Sequence, residues 1–163
     1  MERSFVSPSV WPIILVLALS ACGSDPINHL PGMDPWMDGN PSELAAFAMD
    51  ADEGPVVMIN LLKFREKSAD GNGTGAEAYA RYAKLAGPFV ERHGGSLVFS
   101  GQSAEHLIGD TDYDWDMVLF VSWPKKQNLL DLTQDEDYEK IAHHRGNGLE
   151  RAMLIALDQD AAQ

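Results

Sequence analysis

The chain has 163 residues, enough for one ordinary domain with a leader and a tail, and too few for two comfortable domains. Twelve Lys and Arg against 25 Asp and Glu leave a formal net charge of -13, which repels duplex nucleic acid and anionic lipid surfaces, so no nucleic-acid partner is expected. A single cysteine excludes an internal disulfide framework and any zinc site built on several thiolates.

Residues 10–19 read VWPIILVLAL, an apolar run too short to span a bilayer as a mature helix but matching the core of a secretory signal. Leu19-Ser20-Ala21-Cys22 follows, two small residues and then the lone cysteine. This resembles a bacterial lipobox, in which the Cys22 thiol takes a diacylglycerol and the peptide is cut just before it. Small side chains suit a peptidase that draws extended backbone into a narrow cleft. Residues 1–21 are therefore expected to be a lipoprotein signal peptide; the alternatives are an ordinary signal with a cysteine nearby or a buried apolar N-terminus. Each acyl methylene adds about 0.8 kcal/mol of membrane burial. Gly23 rather than Asp follows the cysteine. By resemblance to sorted lipoproteins, the expected location is the cell envelope, at the outer membrane facing the periplasm. Residues 22–40, rich in Gly, Pro, Asp and Asn and without periodicity, read as a tether. Trp36 and Met37 within it could dock on the domain or on lipid.

A domain is expected over residues 41–159, with 160–163 as a frayed tail. Asn40 as cap, Pro41 and Glu43 start a short helix reaching about residue 50. Gly54-Pro55 breaks it, and residues 56–64 (VVMINLLKF) form the clearest strand. Thr74 and Glu77 make a capping-box pattern, after which Tyr79, Tyr82, Ala83, Ala86, Phe89 and Val90 recur at helical spacing until Gly94-Gly95. Pro88 predicts a kink or a shortened last turn. Residues 96–101 and 105–109 read as weaker strands, either separate or continuous. Residues 116–123 (DMVLFVSW) are a strong strand stopped by Pro124, and 125–132 suggest a short helix. Thr133 with Glu136 repeats the capping-box pattern and opens a helix carrying Tyr138, Ile141, Ala142, Arg145 and Leu149 on one side. Residues 152–157 are the last strand.

The order β-α-β-β-α-β predicts an α+β, ferredoxin-like fold, an antiparallel sheet with its main helices on one face. The strands at 56–64 and 116–123 are apolar on both faces, whereas a sheet with a wet face should alternate. Two helices cover one face only, so a second copy is the simplest cover for the other, as a two-fold dimer. The alternative is a monomer closed by the helix at 40–50.

Several pieces carry a family likeness: Val57-Met58-Ile59-Asn60-Leu61-Leu62-Lys63-Phe64, the Tyr79…Tyr82 helix running into Gly94-Gly95, and the Trp123-Pro124 turn. Asp137-Tyr138-Glu139 and His144-Arg145…Gly148-Leu149 complete the set. Over residues 55–157 the chain resembles the bacterial domain of unknown function 1330 (DUF1330), of the dimeric α+β-barrel group. Trp123 departs from that pattern, which more often has Phe or Tyr before the Pro. The resemblance implies the fold and a homodimer, and no activity.

Asn60 interrupts an apolar strand face, and a buried amide without partners costs roughly 1–3 kcal/mol. It is either a structural amide or a ligand-facing donor and acceptor. Lys63 falls on the opposite face and reads as a salt-bridge partner or solvated charge. His143 lies about 200° from Ile141 and faces water, while His144 and Arg145 flank the buried stripe. A fork such as that of Arg145 suits a carboxylate, though Asp110, Asp112 or Asp114 could satisfy it. Tyr79 and Tyr82 read as packing residues with a hydroxyl at the rim. His29, His93, His106, His143 and His144 lack ligand spacing, and the acidic run at 110–116 lacks the glycine and closing glutamate of an EF-hand. No metal and no cofactor are expected. The combined expectation is a membrane-anchored homodimer whose cleft near Asn60, Tyr82, His144 and Arg145 binds a small organic molecule, anionic or carbonyl-bearing. The alternative is a cofactor-free enzyme, monooxygenase- or isomerase-like, in which His144 moves a proton.

Overall fold

The computed structural model describes residues 34, 37–50, 54–103, 105, 107–109 and 114–158. The expected signal peptide, Cys22, most of the tether, the 160–163 tail, and Trp36, His29, His106, Asp110 and Asp112 lie outside the described residues. In chain order the elements are α1 (Pro41–Met49), β1 (Val56–Phe64), α2 (Gly75–Arg92), β2 (Ser96–Gln102), β3 (Met117–Trp123), α3 (Lys126–Thr133), α4 (Glu136–Gly148) and β4 (Leu149–Asp158). The four strands form one antiparallel sheet in the order β2-β3-β1-β4. This is the expected ferredoxin-like α+β arrangement. No helix among the described residues is long and apolar enough to cross a membrane.

Two helix starts follow local chemistry. The Asn40 side chain accepts from the backbone N–H groups of Ser42 and Glu43, and Thr74 and Glu77 cap each other's backbone in a complete capping box. The third differs from expectation. The cap of α4 is Asp135, which accepts from Asp137 N and Tyr138 N; Thr133 instead donates to Leu130 O at 2.7 Å and closes α3. Pro88 does not end α2, which continues a further turn to Arg92 before Gly94, at φ +83°, turns the chain. Among the described residues one strand follows, not two: β2 ends at Gln102, opposite Met117 where β3 begins, with one further bond from Ser103 N to Asp116 O at 3.0 Å. The last strand is longer than 152–157, since all nine residues of β1 offer it partners as far as the Phe64–Leu149 pair.

Helices α2 and α4 pack on the sheet face presented by Val56, Met58, Asn60, Leu62 and Phe64. One core cluster joins Leu62 and Leu149, both fully buried, to Tyr79, Tyr82 and Ala86. A second joins Val56, Met58, Trp123 and Leu132. Phe47 of α1 packs on this second cluster, so α1 sits on the helix side and does not close the opposite face. That opposite face carries Val57, Ile59 and Leu61 from β1, Val118 and Phe120 from β3, Phe99 from β2 and Met153, Ile155 and Leu157 from β4. Phe99 and Leu157 are 51% and 43% exposed. At one end of this face Lys63 bridges Asp114 and Asp116 at 2.6 and 3.0 Å, and Arg151 reaches Asp114 at 3.0 Å.

Asp135 also ties α2 to α4, accepting from His93 Nε2 at 2.9 Å and from Arg92. The His93 bond first, with the backbone donors and Arg92 behind it, holds this carboxyl well below the usual carboxylate range. A depressed folded-state value means that its contribution is complete above the unfolded value near 4 and is lost as pH falls below it. Thermal melts from pH 5 to pH 2 should therefore show a steeper fall for the wild type than for Asp135→Ala. Parallel curves would place the acid sensitivity elsewhere.

Candidate functional site: a helix–sheet cleft

Asn60 occupies the middle of β1 and, sharing parity with Met58 and Leu62, points under the helices. Its cross-strand neighbours are Leu119 and Leu154. Its only side-chain hydrogen bond among the described residues is a long one, Nδ2 to Met58 O at 3.4 Å, which leaves the amide oxygen without a donor there. Leu154, beside it on β4, is 50% exposed, so this part of the helix-facing surface opens to solvent at the sheet edge. Two residues along β4, Ala156 floors a shallow groove walled by Phe47 and Met49 of α1 and by Lys126.

Helix α2 supplies Tyr79 and Tyr82, one turn apart, with ring centroids 5.6 Å from each other. Burial pushes the Tyr79 hydroxyl up to about 12. Burial raises Tyr82 further, and its hydroxyl lies 2.6 Å from that of Tyr138 on α4. Both phenols are neutral at physiological pH, and that of Tyr82 is engaged with Tyr138. The charge of Arg145 opposes the rise of both hydroxyls. Arg145 lies two helical turns after Tyr138 on the same side of α4 and is half-buried. Its guanidinium makes no ion pair or hydrogen bond among the described residues. Asp114, one of the partners the sequence offered it, is instead held by Lys63 and Arg151.

His144 stands apart. It is half-buried, with its ring 4.0 Å from that of exposed His143. Burial lowers its pKa, His143 adds to that, and Asp70 opposes it. Its remaining electrostatic neighbour is Arg81 on α2. No hydrogen bond joins it to Asn60, Tyr82 or Arg145 among the described residues. The structure thus joins Tyr82 to Tyr138 between α2 and α4, sets Arg145 on the Tyr138 side of α4, and stacks His144 against His143. Tyr138 and Arg145 share one side of α4, as their spacing predicts; what the spacing does not show is the contact of the Tyr138 hydroxyl with that of Tyr82. Among the described residues no three His, Cys, Asp or Glu side chains gather where they could hold a metal ion.

The model of a family described as "Domain of unknown function (DUF1330)" matches residues 70–158. The chain belongs to the DUF1330 family. The crystal structure of RPA0582, a protein of unknown function from Rhodopseudomonas palustris, superposes with a TM-score of 0.73 at 35% identity, covering 78% of this chain and 98% of that one. A crystal structure of methylated RPA0582 gives 0.70 at 37% identity, over 75% of this chain and 93% of that one. A Bacteroides fragilis protein described as dimeric, of unknown function and ferredoxin-like fold, is 9% identical with a TM-score of 0.45, over 66% of this chain and 98% of that one. None of the curated proteins matches this DUF1330 chain.

Proposed function

We propose that this DUF1330 protein is an envelope lipoprotein, anchored through lipid on Cys22, that pairs through its open sheet face with a second copy and binds a small organic anion in the helix–sheet cleft of each subunit. The observation that carries the ligand reading is Arg145. Arg145 is half-buried, its charge acts on two buried tyrosines, and no carboxylate pairs with it among the described residues, so a bound anion would supply the partner that its fork favours. Its planar fork suits a carboxylate, with Asn60 offering a donor and a free acceptor for a second polar group. The aromatic rings offer an apolar wall. Pairing is supported by the nine large apolar side chains on the other face, and the anchor by the apolar run and small residues before Cys22. The enzyme alternative needs His144 at the reacting atoms, and its neighbours Asp70 and Arg81 favour the binding reading instead.

The test is a thermal-shift screen of small carboxylates and carbonyl compounds on wild type, Asn60→Ala and Arg145→Ala. A stabilising carboxylate should bind Arg145→Ala roughly thirtyfold more weakly, the loss of one charge-assisted pair. An undiminished shift in Arg145→Ala removes the site, and a collapse of stability without any ligand effect makes the residue structural. In the same series, full-length Cys22→Ser should lose incorporation of labelled lipid; retention of label removes the anchor.

A further inference from the structure

Between α2 and α4 the tyrosine rings are held by other rings. Tyr82 leans on Tyr79 with centroids 5.6 Å apart, and Tyr138 meets Phe89 edge-on at 6.0 Å. The hydroxyls are therefore free to serve another purpose. Those of Tyr82 and Tyr138 carry two hydrogens between them, and their 2.6 Å contact uses one. Tyr82 is 7% exposed, and its hydroxyl hydrogen has one acceptor among the described residues, the Tyr138 oxygen. Were Tyr82 to accept instead, its own hydrogen would be buried without an acceptor, which folded proteins avoid. Tyr82 accordingly donates, half-buried Tyr138 accepts, and the Tyr138 hydrogen is left over. Among the described residues nothing accepts that hydrogen, just as no carboxylate pairs with Arg145 on the same side of α4.

We propose that the Tyr138 hydroxyl is the second donor to the bound anion, so that Arg145 and Tyr138 together hold an ionised carboxylate. The proposal rests on the reading of the cleft as a binding site and adds what selects its ligand. The two residues are seven apart on α4, about 10 Å along its axis. Side chains on a helix lean toward its N-terminus, which gives a long side chain at 145 reach toward 138. Tyr82 improves the donor, because a hydroxyl that accepts one bond donates a stronger one. Arg145 has donors only, and Tyr138, its oxygen turned to Tyr82, presents a hydrogen. A carboxylate, which only accepts, suits both groups. An amide of the same shape sets its own N–H donors against one of them.

The probes are benzoate and benzamide, matched in shape, titrated at neutral pH into full-length wild type, Tyr138→Phe, Tyr82→Phe and Arg145→Ala. The wild type should prefer benzoate at least about tenfold. Tyr138→Phe should weaken benzoate about tenfold, the loss of one bond to a charged group, and leave benzamide unchanged. Each preference is a ratio within one variant, so a loss of stability common to both ligands cancels. Tyr82→Phe leaves Tyr138 its own hydrogen and should cost benzoate only about threefold, the loss of support through the pair. An unchanged preference in Tyr138→Phe, or a larger loss in Tyr82→Phe than in Tyr138→Phe, with Arg145→Ala still impaired, overturns the tyrosine donor and leaves the cleft reading intact. Benzoate binding indifferent to Arg145, or none by the wild type, overturns both.

Discussion

Ile59→Lys is expected to leave the domain folded and to convert it from a pair into a single chain. Ile59 lies between Phe120 and Ile155 in the register, at the centre of the open face, and touches neither core cluster. In a lone subunit a lysine there would sit on a half-wetted surface and extend its ammonium to water. Between two sheets it would be one of two like charges near the symmetry axis, each without a partner, at a cost of several kcal/mol per ion. Association should weaken at least about a hundredfold, which sedimentation velocity at micromolar concentration resolves, while far-ultraviolet circular dichroism stays unchanged. The proposed pairing fails if the variant still sediments as a dimer, or if the wild type is already single at that concentration.

Gly148→Ala should cost about 3 kcal/mol, at the upper end of the usual range for overpacking. The last residue of α4 meets the first turn of α2 with no side chain between them. A Cβ on Gly148 would lie 2.6 Å from Gly75 O and 2.7 Å from Tyr79 N, and one on Gly75 would lie 2.5 Å from Gly148 O. These neighbours are helix backbone, so no rotamer change relieves the contact. The same junction carries Arg65 N to Gly148 O and Gly75 N to Arg65 O, each 3.0 Å, and Ala69 N to Asn147 O at 2.9 Å. Forcing the helices apart strains all three bonds. For a domain of this size the melting temperature should fall by roughly 15 °C. Gly146→Ala is the matched control. Its Cβ would meet nothing within 4 Å, so an interior helical glycine replaced by alanine should gain about 0.5–1 kcal/mol. Equal effects at the two positions would mean that helix propensity, not close approach, governs Gly148.

What could be read in the chain was what its neighbours in sequence decide. Asn40 and the Thr74–Glu77 pair act on backbone within three residues, and the two strongest strands declare themselves by composition. Thr133 and Asp135 both precede an acidic turn, so local pattern alone does not choose the cap of α4, and only the end of α3 claims Thr133 for Leu130. The ends of β2 and β4 depend on where β3 begins and how far β1 extends, which no local pattern contains. In the cleft, Asn60 was visible as a polar break in an apolar strand, and Arg145 as a cation flanking an apolar stripe. The Tyr82–Tyr138 hydroxyl contact spans 56 residues and the packing of Met37 against the cluster of Tyr79 and Tyr82 depends on tertiary structure, so neither leaves a local trace.

The strand order also sets a timetable. The first strand of the sheet to be made, β1, lies between β3 and β4, and its outer neighbour is the ten-residue segment Leu149–Asp158, the last of the four to be made. Until that segment emerges, β1 has one flank of unpaired backbone and its helix layer lacks Leu149. Closure of the sheet therefore waits for the last of the four strands, which flanks the first, a delay inherent in long-range pairing.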